Sequence, residues 1–228
     1  MGPITPPSID NELYILHVVD DFSNFSIVVA LKRKSETAET LKRLLSEMHG
    51  RLGRWPRIFR TDPGSEFVTS ELKAKYFVDH GILHDETLVG DSEQAGTIER
   101  KHRVIEEHSR ANLVGSRAPS VLWAHATYHA VYTLNRTLLH NDNVLTPYQL
   151  YHGKHAPLDL SALYIFGSDA YLRRPHGHMS PSGVEVIFVG YASNGGWRVL
   201  NVYGPLRTVE SKHVRIRNGS FCNTVSTI

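Results

Sequence analysis

Two acidic residues stand out by their setting. Asp62 follows a short β-prone run, Trp55-Pro56-Arg57-Ile58-Phe59-Arg60, and sits in a Pro-Gly turn, Thr61-Asp62-Pro63-Gly64-Ser65. Glu99 falls on the first turns of a long, highly charged segment, Gln94 to Leu113, that contains no proline. From Glu99, positions i+4, i+7 and i+11 are Arg103, Glu106 and Arg110, so one helical face presents a carboxylate followed by guanidinium groups. Carboxylate oxygens are hard ligands for divalent cations and guanidinium groups grip phosphate, so such a face could hold a metal and a phosphodiester together. Both acids also have an ordinary structural explanation: aspartate is a turn former, and glutamate near a helix N-terminus complements the helix dipole.

The elements that must position these residues are legible from periodicity. Leu13 to Val19 and Phe25 to Leu31 are apolar, β-branched runs joined by Asp20-Asp21-Phe22-Ser23-Asn24, which predicts a hairpin. Ala38, Leu41, Leu44, Leu45 and Met48 recur at helical spacing, with Ser35 and Glu39 near a capping arrangement and Gly50 as the stop. A helix around Ser70 to Asp79 and a strand at Ile82 to Glu86 should follow the Asp62 turn. After the charged helix, Ser120 to Leu139 is apolar around most of a helical wheel and should be largely buried, and a short helix is expected at Pro147 to Tyr151. Beyond His155-Ala156-Pro157 the texture changes to short β-rich runs at Ala170 to Arg174, Val184 to Tyr191, Trp197 to Val202, Arg207 to Val209 and His213 to Ile216. Closely spaced short strands suggest a small barrel with its own core. The division is therefore a first unit over 1–155, a second over 156–217 and a tail over 218–228.

Composition narrows the classes. A 228-residue chain with 41% hydrophobic residues can bury an ordinary core. Its one cysteine, Cys222, excludes an internal disulfide framework and any cysteine-based zinc finger despite fourteen histidines, and fits a reducing compartment. No long apolar run and no signal-peptide pattern is present, so a soluble chain away from the membrane is expected. The net charge of +2 conceals alternation. Residues 32–60 carry nine Lys/Arg against three Glu, 62–93 carry eight Asp/Glu against two Lys, and 171–217 carry seven Lys/Arg against two Glu. Basic segments around an acidic one suit a nucleic-acid enzyme with a carboxylate metal site, although solvated surface charge explains the same pattern.

Motifs in order along the chain sharpen this. Arg60-Thr61-Asp62-Pro63-Gly64-Ser65-Glu66-Phe67 resembles the (S/T)-D-x-G-x-E-(F/Y) motif of integrases from copia-type LTR retrotransposons. Gln94-Ala95-Gly96-Thr97-Ile98-Glu99-Arg100-Lys101-His102-Arg103 resembles the same family's Q-N-G-x-x-E-R-x-N-R motif. Val19-Asp20-Asp21-Phe22-Ser23 is similar to its V-D-D-x-S hairpin, and Leu122-Trp123-Ala124 and Thr146-Pro147-Tyr148-Gln149-Leu150 to its later helices. Phe166-Gly167-Ser168-Asp169-Ala170-Tyr171 and Ile187-Phe188-Val189-Gly190-Tyr191 resemble the SH3-like module that follows the core in those Pol polyproteins.

The resemblance implies an α/β fold: an RNase H-like mixed sheet flanked by helices, followed by a small all-β SH3-like barrel. It implies DNA integration, a polynucleotidyl transfer joining element DNA ends to target double-stranded DNA, carried by a D, D, E triad holding Mg²⁺ or Mn²⁺. Asp62 and Glu99 match the second and third acids. Two such ions about 4 Å apart activate the attacking oxygen and stabilise the leaving one. A homo-oligomer, a nuclear destination with a cytoplasmic particle stage, and no small-molecule substrate follow from the same likeness. Arg100, Lys101, Arg103 and Arg110 are the first choice for phosphate contacts, with Arg173, Arg174, Arg215 and Arg217 as a second surface; Trp197 and Tyr203 read as barrel core.

The pattern departs at its start. The family's first acid lies a few residues before a Gly-Pro pair, as D-x-x-G-P, whereas here Met1 immediately precedes Gly2-Pro3. The expectation is a core shortened at its N-terminus, with the first aspartate absent and Asp20 or Asp21 as candidate substitutes beside their simpler role in the hairpin turn. Pro63, Ser65 and Ala95 also replace residues common in the motifs. The competing reading is a catalytically inactive integrase-derived module that binds nucleic acid or a partner subunit. A carboxylate-pair hydrolase using Asp62 and Glu99 is a third, distinguishable by metal independence.

Overall fold

In a computed structural model of the chain, the described residues are 1–61, 72–86, 92–139, 144–173, 183–202 and 206–221. The expected hairpin forms from β1 (Tyr14–Val19) and β2 (Ser26–Leu31), antiparallel from Tyr14 opposite Leu31 to Val19 opposite Ser26. Residues at the chain start lie along the other edge of β1: Met1 and Ile15 exchange backbone hydrogen bonds, and Ile4 N–H donates to Leu13. Gly2, at φ +118°, is required there, because a Cβ would meet the Leu13 carbonyl at 2.5 Å.

Alternation along β1 distributes side chains to two faces. Ile15 packs with Val28 of β2 against Ile105, Trp123 and Val131, while Val18 packs on the opposite side against Leu41, Leu45 and Phe77. The first group belongs to two long helices, α2 (Ser92–Ser116) and α3 (Trp123–Thr137), and Leu41 and Leu45 to α1 (Thr37–Leu52). β3 (Ile58–Thr61) and β4 (Leu83–Glu86) pair in parallel, Ile58 opposite Leu83, with a π-helical turn at Leu72–Phe77 in the crossover between them. Helices thus pack on both faces of β1, giving the mixed α/β content expected of the first unit, but among the described residues β1–β2 and β3–β4 form two separate two-stranded sheets and not the single mixed sheet expected.

Two local expectations need correction. α1 does not stop at Gly50 but continues to Gly53, which takes the left-handed conformation (φ 68°) and donates its N–H to His49. Its start carries no side-chain cap; a 3₁₀ turn at Lys34–Glu36 leads into it, and Glu36 accepts from Lys32 N–H instead of Ser35 and Glu39 forming a box. The capping box is found at α4 (Pro147–His152), where Thr146 and Gln149 bond reciprocally.

The second unit contains the five expected strands: β5 (Ser168–Arg173), β6 (Gly183–Tyr191), β7 (Trp197–Asn201), β8 (Arg207–Ser211) and β9 (Val214–Phe221). They form an antiparallel sheet in the order β8-β7-β6-β5-β9, so among the described residues it is open, with β8 and β9 at its ends. One face has a core of its own, Ala170, Leu172, Val186, Phe188 and Val199, against which Trp197 packs as expected. The other face, through Phe166, Ile187, Val189 and Leu200, closes on Leu122 and Ala126 at the start of α3. No helix among the described residues is long and apolar enough to cross a membrane.

Candidate functional site

Glu99 lies in the second turn of α2 with its side chain exposed. Arg103, Glu106 and Arg110 are exposed as well, so the face inferred from the i+4, i+7, i+11 spacing is a solvent face. The opposite face explains why: Ile105 is buried against β1 and α3, and Ser109 Oγ donates to the Ile105 carbonyl. Among the described residues the Glu99 carboxylate has no hydrogen bond or ion pair, and neither Arg103 nor Arg110 is paired with a carboxylate. An exposed carboxylate with its oxygens uncommitted is the right kind of donor for a hard cation. Asp62, the residue after β3, lies outside the described residues, as do Arg174 and Tyr203. Among the described residues no group of three or more His, Cys, Asp or Glu is arranged to hold a metal.

Lys101 takes a different place from its neighbours. Half-buried, it donates from Nζ to the Asn24 carbonyl in the β1–β2 turn at 3.2 Å. Burial lowers its pKa to about 8, with Asp21 and Asp20 acting in the opposite direction. It is tied to the hairpin, whereas Arg100, also exposed, stays with the solvent-facing group. Asp20 likewise serves the turn, since Oδ2 accepts from both Ser23 N–H (2.9 Å) and Ser23 Oγ (2.5 Å). Asp21 is exposed.

Sequence reasoning did not single out His17 and His102, whose rings meet 4.6 Å apart between β1 and α2. The ring nitrogens of His17 are buried without a hydrogen-bond partner among the described residues. Burial, then the nearby His102 and Lys101, pushes its pKa down to about 3. The available signal was a lone histidine inside an otherwise apolar strand.

On the second sheet, Tyr171 stands opposite both Arg215 and Glu185. The two-residue period then puts Arg173 of β5 and Arg215 and Arg217 of β9 on the same face as Tyr171. All three arginines are exposed, with the Arg217 guanidinium 5.2 Å from the Tyr171 ring.

Residues 2–92 match the integrase core domain family. The chain is 26% identical over 224 residues to the retrovirus-related Pol polyprotein from transposon TNT 1-94 of Nicotiana tabacum, a match covering 96% of this chain and 16% of that polyprotein. It is 30% identical over 215 residues to the corresponding polyprotein from transposon RE1 of Arabidopsis thaliana, covering 93% and 14%. The chain belongs with the integrase cores of LTR-retrotransposon Pol polyproteins. It spans about a seventh of the length of these relatives. A solved structure of the HTLV-2 integrase catalytic core domain in complex with magnesium, in trimeric form, aligns with 61% of this integrase-related chain and 93% of its own, at 21% identity and a TM-score of 0.46. The family assignment covers both the hairpin and β3, and the polyprotein matches extend it through α2 and the second sheet.

Proposed function

We propose that the chain is the body of an integrase core that joins the ends of element DNA to target double-stranded DNA, with Asp62 and Glu99 as two of its metal ligands. The observation that carries this is the exposed face of α2, where, among the described residues, a Glu99 carboxylate without a partner is followed along the same face by the unpaired guanidinium groups of Arg103 and Arg110. When bound, Mg²⁺ or Mn²⁺ would supply activation of the attacking oxygen and charge stabilisation at the leaving one. Glu99 contributes oxygen ligands, Arg103 one turn along holds the phosphodiester beside it through charge-assisted hydrogen bonds, and Arg100 and Arg110 contact other backbone phosphates of the duplex. Lys101 anchors α2 to the β1–β2 turn and so sets the height of Glu99 above the hairpin. The arginine face on β5 and β9 offers DNA a second backbone contact, and the sheet that carries it is read as the SH3-like module. A homo-oligomer and nuclear residence belong to the same reading.

The first acid is assigned to a strand preceding Gly2. Met1 and Ile15 exchange backbone hydrogen bonds, so residues ahead of Met1 would continue antiparallel along β1 beside His17 and Val19. The Ser23 bonds to Asp20 favour that arrangement over a substitute ligand in the turn. The test is Mg²⁺- or Mn²⁺-dependent disintegration of a branched DNA oligonucleotide by the chain and by a form extended with an aspartate-bearing strand. Activity in the extended form that disappears on Glu99→Ala is expected. Activity in the unextended form that falls on Asp20→Asn or Asp21→Asn would move the first acid's role to the turn. Metal-independent cleavage, or none in either form, would overturn the enzymatic reading, and DNA binding without reaction would leave a binding module.

A further inference from the structure

The ends of α1, α3 and α4 bring together a group of cations that the proposed chemistry does not use. Arg136, in the last turn of α3, has its guanidinium 3.4 Å from the Tyr132 ring centroid and 4.2 Å from that of Tyr148 on α4. Nη1 donates to the Tyr132 carbonyl at 3.1 Å. Tyr132 in turn stacks on Tyr191 of β6 at 3.6 Å, so the second sheet holds one side of the clamp. His152, at the end of α4, lies 4.6 Å from Tyr148 and edge-on to Phe25 at 5.5 Å. Arg51, exposed in the last turn of α1, is close enough to act on both Tyr151 and His152.

Among the described residues the charge at this place is not balanced. No carboxylate pairs with Arg51 or Arg136 among the described residues. The half-buried Arg136 has ring faces, the Tyr132 carbonyl and the Tyr148 hydroxyl, but among the described residues no anion, to offset its lost hydration. Among the described residues, the two carboxylates near enough to be felt here are Asp20, which acts on Tyr151, and Asp159, which acts on Tyr132. Both are engaged elsewhere: Asp20 by the N–H and hydroxyl of Ser23, Asp159 by the N–H and hydroxyl of Ser161. What remains is a planar guanidinium fixed between two rings with donors to spare, a second guanidinium nearby and an imidazole.

We infer that Arg51, Arg136 and His152 form an anion site that takes a backbone phosphate of duplex DNA, built on elements other than α2. A clamped guanidinium loses little side-chain entropy on binding and presents the fork that matches phosphate oxygens. A polyanion is favoured over one acidic side chain because Arg51 and Arg136, neither paired with a carboxylate among the described residues, both lie near enough to act on His152, and a phosphodiester backbone presents repeated charge. This rests on the proposed DNA-binding reading and adds a second contact to it.

The test is fluorescence anisotropy of a labelled duplex of mixed sequence against the whole chain over a salt series. The variants are Arg51→Gln, Arg136→Lys and, on α2, Arg110→Gln. Arg51 is exposed, so its variant leaves packing intact, and Arg136→Lys keeps the charge while losing the fork. Each lost phosphate contact reduces the slope of log affinity against log salt by about 1. The expected result is that reduction for Arg51→Gln, with affinity lowered several-fold for both Arg51→Gln and Arg136→Lys. If Arg110→Gln weakens binding while Arg51→Gln and Arg136→Lys leave affinity and slope unchanged, the second site is overturned and the α2 reading stands. If the chain binds polyglutamate rather than DNA and Arg51→Gln abolishes that, the partner is an acidic protein and the inference fails. Absence of duplex binding by the unmodified chain overturns it together with the DNA-binding reading, for which metal-dependent disintegration is the separate test.

Discussion

Asn135 shows how much one side chain can fix. Only 4% exposed, it donates from Nδ2 to the Ser26 carbonyl at 2.8 Å and accepts from Ser26 N–H at 2.9 Å, so one amide caps the first residue of β2 from α3. Replacing it with alanine leaves a donor and an acceptor without partners in a packed region. Each costs about 1–3 kcal/mol when unmatched, so Asn135→Ala is expected to lower unfolding free energy by about 2–6 kcal/mol in urea titration. A loss below about 1 kcal/mol would mean that water replaces the amide. The buried histidines give a pH signature. Burial holds the folded-state pKa of His17 at about 3 and that of His125 at about 4, both below the ordinary value of 6.5. Between pH 6.5 and those values the unfolded chain binds more protons, so stability falls as pH falls through this window. His17→Leu should flatten that slope by up to one proton in chemical denaturation across the pH range. Lys101 acts at the alkaline end. Its folded pKa is depressed from 10.5 to about 8, so the unfolded state again binds more protons and Lys101 contributes a rise in stability from pH 8 to 10.5. The difference between the chain and Lys101→Met should trace that rise, and a flat difference would contradict the burial of the ammonium group.

Elements rather than residues decide the junction between the two units. Gly167, just before β5, is at φ +83°, and a Cβ there would lie 2.2 Å from the Cβ of Ser116 at the end of α2. Gly167→Ala therefore combines a left-handed backbone penalty of about 1 kcal/mol with a displacement of α2 from β5 that costs about 1–3 kcal/mol. Ser116→Gly in the same chain should recover the second part and not the first, which a double-mutant cycle on thermal stability reads directly. The sequence shows Gly167 but not its opponent, since fifty residues separate it from Ser116 and no local pattern pairs them. Local pattern against distant contact separates what was legible from what was not. Strands and long helices could be read because alternation and the 3.6-residue period are local, and the solvent face of Glu99, Arg103 and Arg110 followed from spacing alone. The end of α1 was misplaced at Gly50 because glycine is tolerated inside a helix whose apolar face is anchored by Leu41, Leu44 and Leu45, and Gly53 satisfies the left-handed cap better. The positions of Lys101, His17 and Arg136 could not be read, because each is defined by a partner on another element: Asn24, His102 and Tyr148. An open sheet and a closed barrel share one strand pattern, since closure depends on which edges meet.

At the scale of the molecule, α3 ties the two units into one body. Its first turns and the residue before it give Leu122 and Ala126 to a cluster with Phe166, Ile187, Val189 and Leu200, all at most 2% exposed, while Trp123 and Val131 face the hairpin. His129 reinforces the same seam, with Nε2 2.8 Å from the Tyr164 carbonyl and Nδ1 3.1 Å from Asn112 Nδ2. A boundary at residue 156 therefore divides the chain in sequence while its apolar contacts continue across it. Units sharing a desolvated cluster of this kind should unfold together, because separating them exposes fully buried side chains at about 25 cal/mol per Å² of apolar surface. Trp123 reports on the first unit and Trp197 on the second, with Trp55 replaced by phenylalanine to leave two probes. Thermal unfolding of Trp123-only and Trp197-only forms is expected to give coincident midpoints, and Ala126→Asp, which buries a charge at the seam, should lower both by the same amount. Distinct midpoints, with Ala126→Asp moving only that of Trp123, would mean that the second sheet folds on its own core of Ala170, Leu172, Val186, Phe188 and Val199. In that case the arginine face on β5 and β9 would swing independently of α2, and DNA held at both surfaces would be bound by two tethered modules instead of one rigid platform.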